Sequence, residues 1–396
     1  MTSSHPPGPS PYRSSILLSY LCTLLLWGAT YIYMPILPPY TKHISGSLRG
    51  AGLVMGAYGL SQMILRIPLG VLSDRWRRRK PFILLGFIFN GLSNLGLILS
   101  GSTSMLFCSV FTAGIASSIW GPFMVLFSSY FPAGHIAHSM SLIMSFSRLS
   151  QIISTYAGGV VAENWGWTAP FFVGGVLSLV GLLLANGLTE VRPQQSFDLT
   201  IQKVFQVGRN RTLLMASFLS ILAQSAYSSS AFGFTPILAQ QLGASKEDLG
   251  ILLFFYLLPN FLATLLSGTV IRLYLADRLI LIAGFLLISI ALFITPIVDR
   301  LSLLKVIQAV NGAGLGLLFP LLTSLSIQSV SREQQATAMG FFQSLYAVGM
   351  TVGPILSGVA AQQWGLSSVF ILNGLLCLFG AFFSFKKIPS APRSES

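Results

Sequence analysis

The sequence predicts an all-α membrane protein of twelve transmembrane helices, arranged as two pseudo-symmetric six-helix bundles. Three observations lead there. First, 53% of the 396 residues are hydrophobic and only 8% are charged, against roughly 25% charged in a soluble domain. Too little polar surface remains to cover a water-soluble fold of this size, so soluble enzymes, nucleic-acid binders and disordered chains are disfavoured. Second, the apolar residues fall into runs of about 20, the length a helix needs to cross a bilayer core of about 30 Å. Third, the two halves of the chain repeat one another.

In chain order the spans are expected near 16–40, 51–72, 81–100, 105–129, 138–162, 168–189, 212–240, 249–275, 279–297, 301–328, 335–360 and 366–385. The connections carry Gly, Pro, Ser or charge, as helix boundaries do. The longest, 191–211, contains Pro193, Asp198, Lys203, Arg209 and Arg211 and lies mid-chain. The chain therefore divides into a tail, 1–15; a first bundle, 16–190; a linker, 191–211; a second bundle, 212–386; and a tail, 387–396. Met1 to Ser15 is polar and lacks the basic start and cleavage site of a signal peptide, so the first apolar run is read as a retained helix.

Orientation follows from the Lys/Arg asymmetry. The segments on the side of the termini hold sixteen basic residues: Arg13, Arg75, Arg77, Arg78, Arg79, Lys80, Arg192, Lys203, Arg209, Arg211, Arg272, Arg278, Arg332, Lys386, Lys387 and Arg393. The other side holds five: Lys42, Arg49, Lys246, Arg300 and Lys305. Both termini are expected in the cytoplasm, and the plasma membrane is the expected location. The net charge of +13 is thus topological, and no nucleic-acid partner is expected.

The repeat keeps its order at offsets of 198 to 201. Pro35-Ile36-Leu37 recurs as Pro236-Ile237-Leu238, Gly52 and Tyr58 as Gly250 and Tyr256, and Trp165-Gly166 as Trp364-Gly365. Two such bundles face each other across a midplane cavity, and rocking one against the other exposes a site alternately to each side.

Between spans two and three lies Gly70-Val71-Leu72-Ser73-Asp74-Arg75-Trp76-Arg77-Arg78-Arg79-Lys80. This resembles the signature loop of the major facilitator superfamily: a Gly start, Leu, a small residue, Asp-Arg and a basic cluster. With twelve spans and a duplicated half, the resemblance covers the whole chain. It implies a secondary transporter working by alternating access. It also implies a cytoplasmic latch built from Gly70, Asp74, Arg75, Arg78 and Arg79. The family usually has Gly where this chain has Arg77, so a different turn is expected there. The second-half copy is reduced to Gly268-Thr269-Val270-Ile271-Arg272, with Asp277-Arg278 further on. The family's exporter-associated Gly-Pro stretch is missing from span five and occurs on span eleven as Gly349-Met350-Thr351-Val352-Gly353-Pro354.

Arg148 lies ten residues into span five, about 15 Å deep. A charge there costs at least ~2.5 kcal/mol on insertion scales, so it should face a cavity or a partner. All ten acids sit at span ends or in loops, so Arg148 is either an anion-binding group or a structural residue bonded to neighbouring amides. Arg66, within span two, is read as snorkelling or gate packing beside the latch; the string Arg66-Ile67-Pro68-Leu69-Gly70 also resembles a span-two feature of several facilitator subfamilies, including anion carriers. Polar and aromatic candidates for the substrate cavity are Trp27, Tyr31, Trp120, Gln151, Gln224, Tyr227, Asn311 and Tyr346, with Asn90, Asn260, Gln308 and Gln343 also at helical positions that could line it. Aromatic walls with few polar groups suit an amphipathic organic solute.

No nucleotide-binding loop occurs, and no carboxylate or His lies deep enough to make a catalytic pair, so an enzyme is not expected. Cys22, Cys108 and Cys377 have neither disulfide nor metal spacing, and His135-x-x-His138 lacks a third ligand. No cofactor or metal is expected. The expected partners are a small-molecule substrate, a coupling proton or counter-anion, and the bilayer, with the chain a monomer. The leading reading is an efflux antiporter for amphipathic compounds. Uptake or exchange of an organic anion through Arg148 is the alternative, and a non-transporting receptor of the same fold the third.

Overall fold

The computed structural model describes residues 12–132, 135–191, 206–328, 330 and 334–388. Most of the 191–211 linker and of both tails lies outside that range, with Arg192, Lys203, Arg332 and Arg393. Among the described residues there is no strand. Among the described residues, helices stand in all twelve expected places: span one Arg13–Tyr31, two Leu48–Trp76, three Lys80–Ile98, four Thr103–Ser128, five Ile136–Trp165 and six Ala169–Ala185. The second half gives span seven from Arg211–Ala226, eight Lys246–Leu266, nine Asp277–Ile294, ten Leu301–Gln328, eleven Gln335–Trp364 and twelve Ser367–Lys387. Eight of these helices are long and apolar enough to cross a membrane by length and composition alone. Spans two and five are long but richer in Gly, Ser and charge, span six is short, and span seven is interrupted.

Local sequence sets the ends. Ser47, Ser102 and Asn210 accept hydrogen bonds from the first turns of spans two, four and seven. Ser245 and Asp248 form a reciprocal capping box on span eight. Each such cap satisfies backbone donors that a helix start otherwise leaves open. The repeated Trp-Gly pairs are helix stops: Gly166 (φ 92°) and Gly365 (φ 84°) adopt positive φ just past Trp165 and Trp364, where glycine carries no Cβ penalty.

Four expected spans are not continuous. Span one ends at Tyr31 and a second helix, Leu37–Ser45, follows. Span seven passes through a π-helical stretch, Tyr227–Phe234, before Thr235–Gln241. Span four breaks at Ile119, and span eight becomes π-helical over Ser267–Ile271. Proline explains the first two: Pro35, Pro38 and Pro236 supply no N–H to the preceding turn. The interrupted backbone is tolerated because it is buried in protein; Ile32 to Leu37 and Ser228 to Phe234 are all buried.

The two halves meet along spans two and eleven and along spans five and eight. The contacts are two versions of one crossing. A Cβ on Gly52 would lie 2.3 Å from the Pro354 carbonyl and 2.8 Å from Gly358 Cα. One on Gly250 would lie 2.8 Å from the Thr155 carbonyl and 3.1 Å from Gly159 Cα. Gly159 and Gly358 are themselves repeat partners. Both crossings lie toward the end of the bundle opposite the termini, called here the far end. Toward the termini-bearing end, a Cβ on Gly70, Gly121 or Gly340 would meet nothing within 4 Å. The halves are in close backbone contact at the far end, while these glycines near the termini face open space.

Candidate substrate site and gates

At the centre, an aromatic cluster joins the halves. Tyr31, at the break of span one, has its hydroxyl 3.3 Å from that of Tyr227, at the break of span seven. Phe232 packs on both, with ring centroids 5.8 Å from Tyr31 and 4.7 Å from Tyr227. Tyr256 closes the group 5.9 Å from Tyr227. A cavity of about 30 Å³ beside them, lined by Tyr31, Tyr58, Met55, Phe232 and Met350, has room for little more than a water. Trp27 and Trp120 extend it along the first half, 5.4 Å apart, with Trp27 5.8 Å from Tyr31.

Arg148 is half-buried on span five and donates to Gln151 Oε1 at 3.0 Å. Its charge is within electrostatic range of the hydroxyls of Tyr31, Tyr227 and Tyr256. Arg66 is buried on span two and donates to the Tyr346 hydroxyl of span eleven at 2.9 Å, with its guanidinium carbon 5.8 Å from that ring's centre. Among the described residues every carboxylate lies near a helix end or in a loop: Asp74, Glu163, Glu190, Glu247, Asp248, Asp277 and Asp299. The centre therefore holds two cations with no compensating acid. Several buried polar atoms there also have no partner, including Trp27 Nε1, Gln224 Oε1 and the Tyr256 hydroxyl. Unpartnered polar atoms in a buried site are available to a solute.

Other candidates make internal struts. Asn311 gives its amide to Ser230 at 3.4 Å, joining spans ten and seven. Asn90 donates to the Leu26 carbonyl, and Asn260 to that of Gly312. Tyr58 and Tyr256 were visible in the sequence only as repeat markers. The offset of 198 that pairs them is the signal that both occupy one place in the fold. Tyr58 is hydrogen-bonded to Ser117 at 2.6 Å, whereas Tyr256 has no such bond.

The loop after span two is built around an ion pair: Arg79 Nη2 meets Asp74 Oδ1 at 2.6 Å, with the arginine side chain 7% exposed. Glu190, at the end of span six, accepts from the backbone N–H groups of Arg79 and Lys80, each at 2.8 Å. Arg75 and Arg78 are exposed. Arg77 was expected to change the turn. It instead takes the left-handed conformation (φ 51°) and is, among the described residues, the only non-glycine at positive φ. The turn is one that glycine would make, with arginine bearing its strain.

The second-half copy is charge-reversed rather than lost. Arg272 ends span eight and grips Asp277 at the start of span nine by two hydrogen bonds of 2.9 Å. At the repeat offset of 198, Arg272 stands where Asp74 does and Asp277 where Arg79 does. At the far end, Glu163 accepts from the Lys246 N–H at 2.8 Å, and its repeat counterpart Gln362 accepts from the Leu48 N–H at 3.0 Å. Each half caps the other's helix.

Two helix bundles in close contact at one end, around a buried polar centre, define a polytopic membrane protein. The profile of the Major Facilitator Superfamily matches residues 19–232 and 213–396, and the chain belongs to that family. It is a transporter and not an enzyme. It is 22% identical over 386 residues to an uncharacterized MFS-type transporter of Methanocaldococcus jannaschii, covering 92% of this chain and 97% of the relative. The fold resembles that of a mutant of the nucleoside transporter NupG (TM-score 0.80, 13% identity, 94% of this chain and 100% of that one). It also resembles the human organic anion transporter MFSD10 (0.69, 17%, 95% and 100%). A bacterial homologue of the human lysosomal transporter Spinster, in an inward-facing and unoccupied conformation, is similar as well (0.73, 17%, 96% and 97%).

Proposed function

We propose that the protein carries an amphipathic organic anion by alternating access, with Arg148 as the group that meets the anion and the Tyr31–Tyr227–Phe232–Tyr256 cluster as its apolar wall. The observation that carries this reading is the pair of central arginines with no acid at their depth. A guanidinium offers planar, bidentate donors suited to a carboxylate or phosphate, and an arriving anion would supply the counter-charge that no acid at the depth of Arg148 provides. With both termini read as cytoplasmic, the close contact at the far end supports an inward-open reading of this state. Transport then proceeds by closing spans two, five, eight and eleven near the termini while the glycine crossings open.

Arg66 and Tyr346 belong to the mid-level contact between spans two and eleven, and Asp74, Arg75, Arg78 and Arg79 to the cytoplasmic latch. The similarity to a structure described as an organic anion transporter agrees with this substrate class. The methionine and aromatic lining favours a second reading, export of uncharged amphipathic compounds.

Flux in proteoliposomes separates the two. A panel of organic anions and neutral amphipathic solutes is assayed with and without an imposed pH gradient, using wild type, Arg148→Lys and Arg148→Ala. Anion flux should be lost in Arg148→Ala and partly kept in Arg148→Lys. Neutral-solute flux untouched by Arg148→Ala, with no anion carried by wild type, overturns the anion reading.

A further inference from the structure

On the lipid-facing surface, spans nine and twelve leave a groove of about 590 Å³ whose lining is almost wholly apolar, including Ile282, Leu286, Leu375, Leu378 and Phe382. From Leu375 to Phe385 it runs ten residues along span twelve, about 15 Å, or half of a hydrocarbon core of about 30 Å. It ends at the termini-bearing edge under two cations. The Arg278 guanidinium carbon lies 4.2 Å from the centre of the Phe385 ring, and Lys386 Nζ lies 4.7 Å from that of Phe382. Neither cation makes an ion pair among the described residues, and the adjacent Asp277 is engaged by Arg272.

The first half shows what this corner looks like when it is closed internally. Phe87 packs on Gly181 as Phe285 packs on Gly380, so spans three and six superimpose on spans nine and twelve at offsets of 198 and 199. Lys80 then corresponds to Arg278, and Asn186 to Phe385. Lys80 donates to the Asn186 carbonyl at 2.6 Å, and its backbone N–H is taken by Glu190. In the second half Arg278 stacks on the Phe385 ring instead. A guanidinium stacked on a ring keeps its in-plane N–H groups free to donate.

We propose that this groove binds one anionic glycerophospholipid, an acyl chain lying along spans nine and twelve and the phosphate held by Arg278 and Lys386. The apolar length matches one leaflet, and the cations stand at headgroup level, where basic residues attract anionic lipid. The site lies on the outer face of the second half and does not depend on the substrate reading.

Native mass spectrometry of the delipidated full chain, titrated with phosphatidylglycerol or phosphatidylcholine, tests it. Wild type should retain one phosphatidylglycerol in preference to phosphatidylcholine. Arg278→Ala with Lys386→Ala should weaken that adduct about tenfold or more, while Lys42→Ala with Arg300→Ala, which removes two cations at the far end, should not. Leu378→Trp fills the groove without changing charge and should weaken the adduct too. Unchanged melting temperatures show that the variants are folded. Equal binding of both lipids, full retention by the Arg278/Lys386 variant, or equally tight binding of glycerol phosphate alone overturns the proposal.

Discussion

Replacing Gly52 by valine should force the far end open. Its Cβ would lie 2.3 Å from the Pro354 carbonyl oxygen, where ordinary contact begins near 3.4 Å, so the helices must separate by about 1.1 Å (3.4 minus 2.3). Both neighbours, Pro354 O and Gly358 Cα, are backbone and cannot rotate aside. Overpacking of this kind costs roughly 1–3 kcal/mol. At about 1.4 kcal/mol per tenfold change, the ratio of far-open to far-closed protein rises about 5- to 150-fold. A far-open population of about 1% would become about 5–60%. Spin labels at His43 and Gln241, both exposed at the far ends of spans one and seven, read this as a second, longer peak in a double electron–electron resonance distance distribution. Gly340→Val, where an added Cβ meets nothing within 4 Å, should leave the distribution as in wild type. A folded Gly52→Val protein with the wild-type distance, or an equal opening in Gly340→Val, refutes the reasoning.

Other consequences are local. Arg77→Gly removes the left-handed strain at an exposed position and should raise stability by roughly 1 kcal/mol, seen as a higher melting temperature. Arg272→Ala strands Asp277 and should destabilise by roughly 1–3 kcal/mol, whereas Arg272→Asp with Asp277→Arg restores the polarity of the first-half pair and should melt near wild type. Tyr58→Phe leaves Ser117 without its buried partner and should cost roughly 1–2 kcal/mol. Tyr256→Phe removes a hydroxyl that has no partner, so it should not lower the melting temperature, but it should weaken solute binding in an affinity titration.

What the sequence disclosed follows from where its signals are local. Apolar runs of membrane length and the Asp74–Lys80 loop depend on residues a few positions apart, and so the places of the twelve helices could be read, though not the breaks within four of them. The Trp-Gly repeats became interpretable once Gly166 and Gly365 were seen at positive φ. The Gly52/Gly250 repeat marked the two interhalf crossings, but only the contacts with Gly358 and Gly159 reveal that function. The breaks after Tyr31 and Tyr227 were missed because both segments are as hydrophobic as their neighbours; their prolines were the available warning. The charge reversal of Arg272 and Asp277 escaped because motif reading looks for the same residues in the same order, whereas an ion pair needs only opposite charges at the two places. The grouping of Arg148 with Tyr31, Tyr227 and Tyr256 unites spans five, one, seven and eight, a relation no periodicity encodes.

In the proposed transporter Arg148 occupies a water-accessible space between the halves, open toward the termini. Cysteine labelling at that position tests it directly. Arg148→Cys is placed in a background lacking Cys22, Cys108 and Cys377 and exposed to a membrane-impermeant cationic methanethiosulfonate in oriented vesicles. Modification should be rapid from the termini side and blocked from the far side. Modification by membrane-permeant reagents only, or equally from both sides in the resting protein, contradicts it.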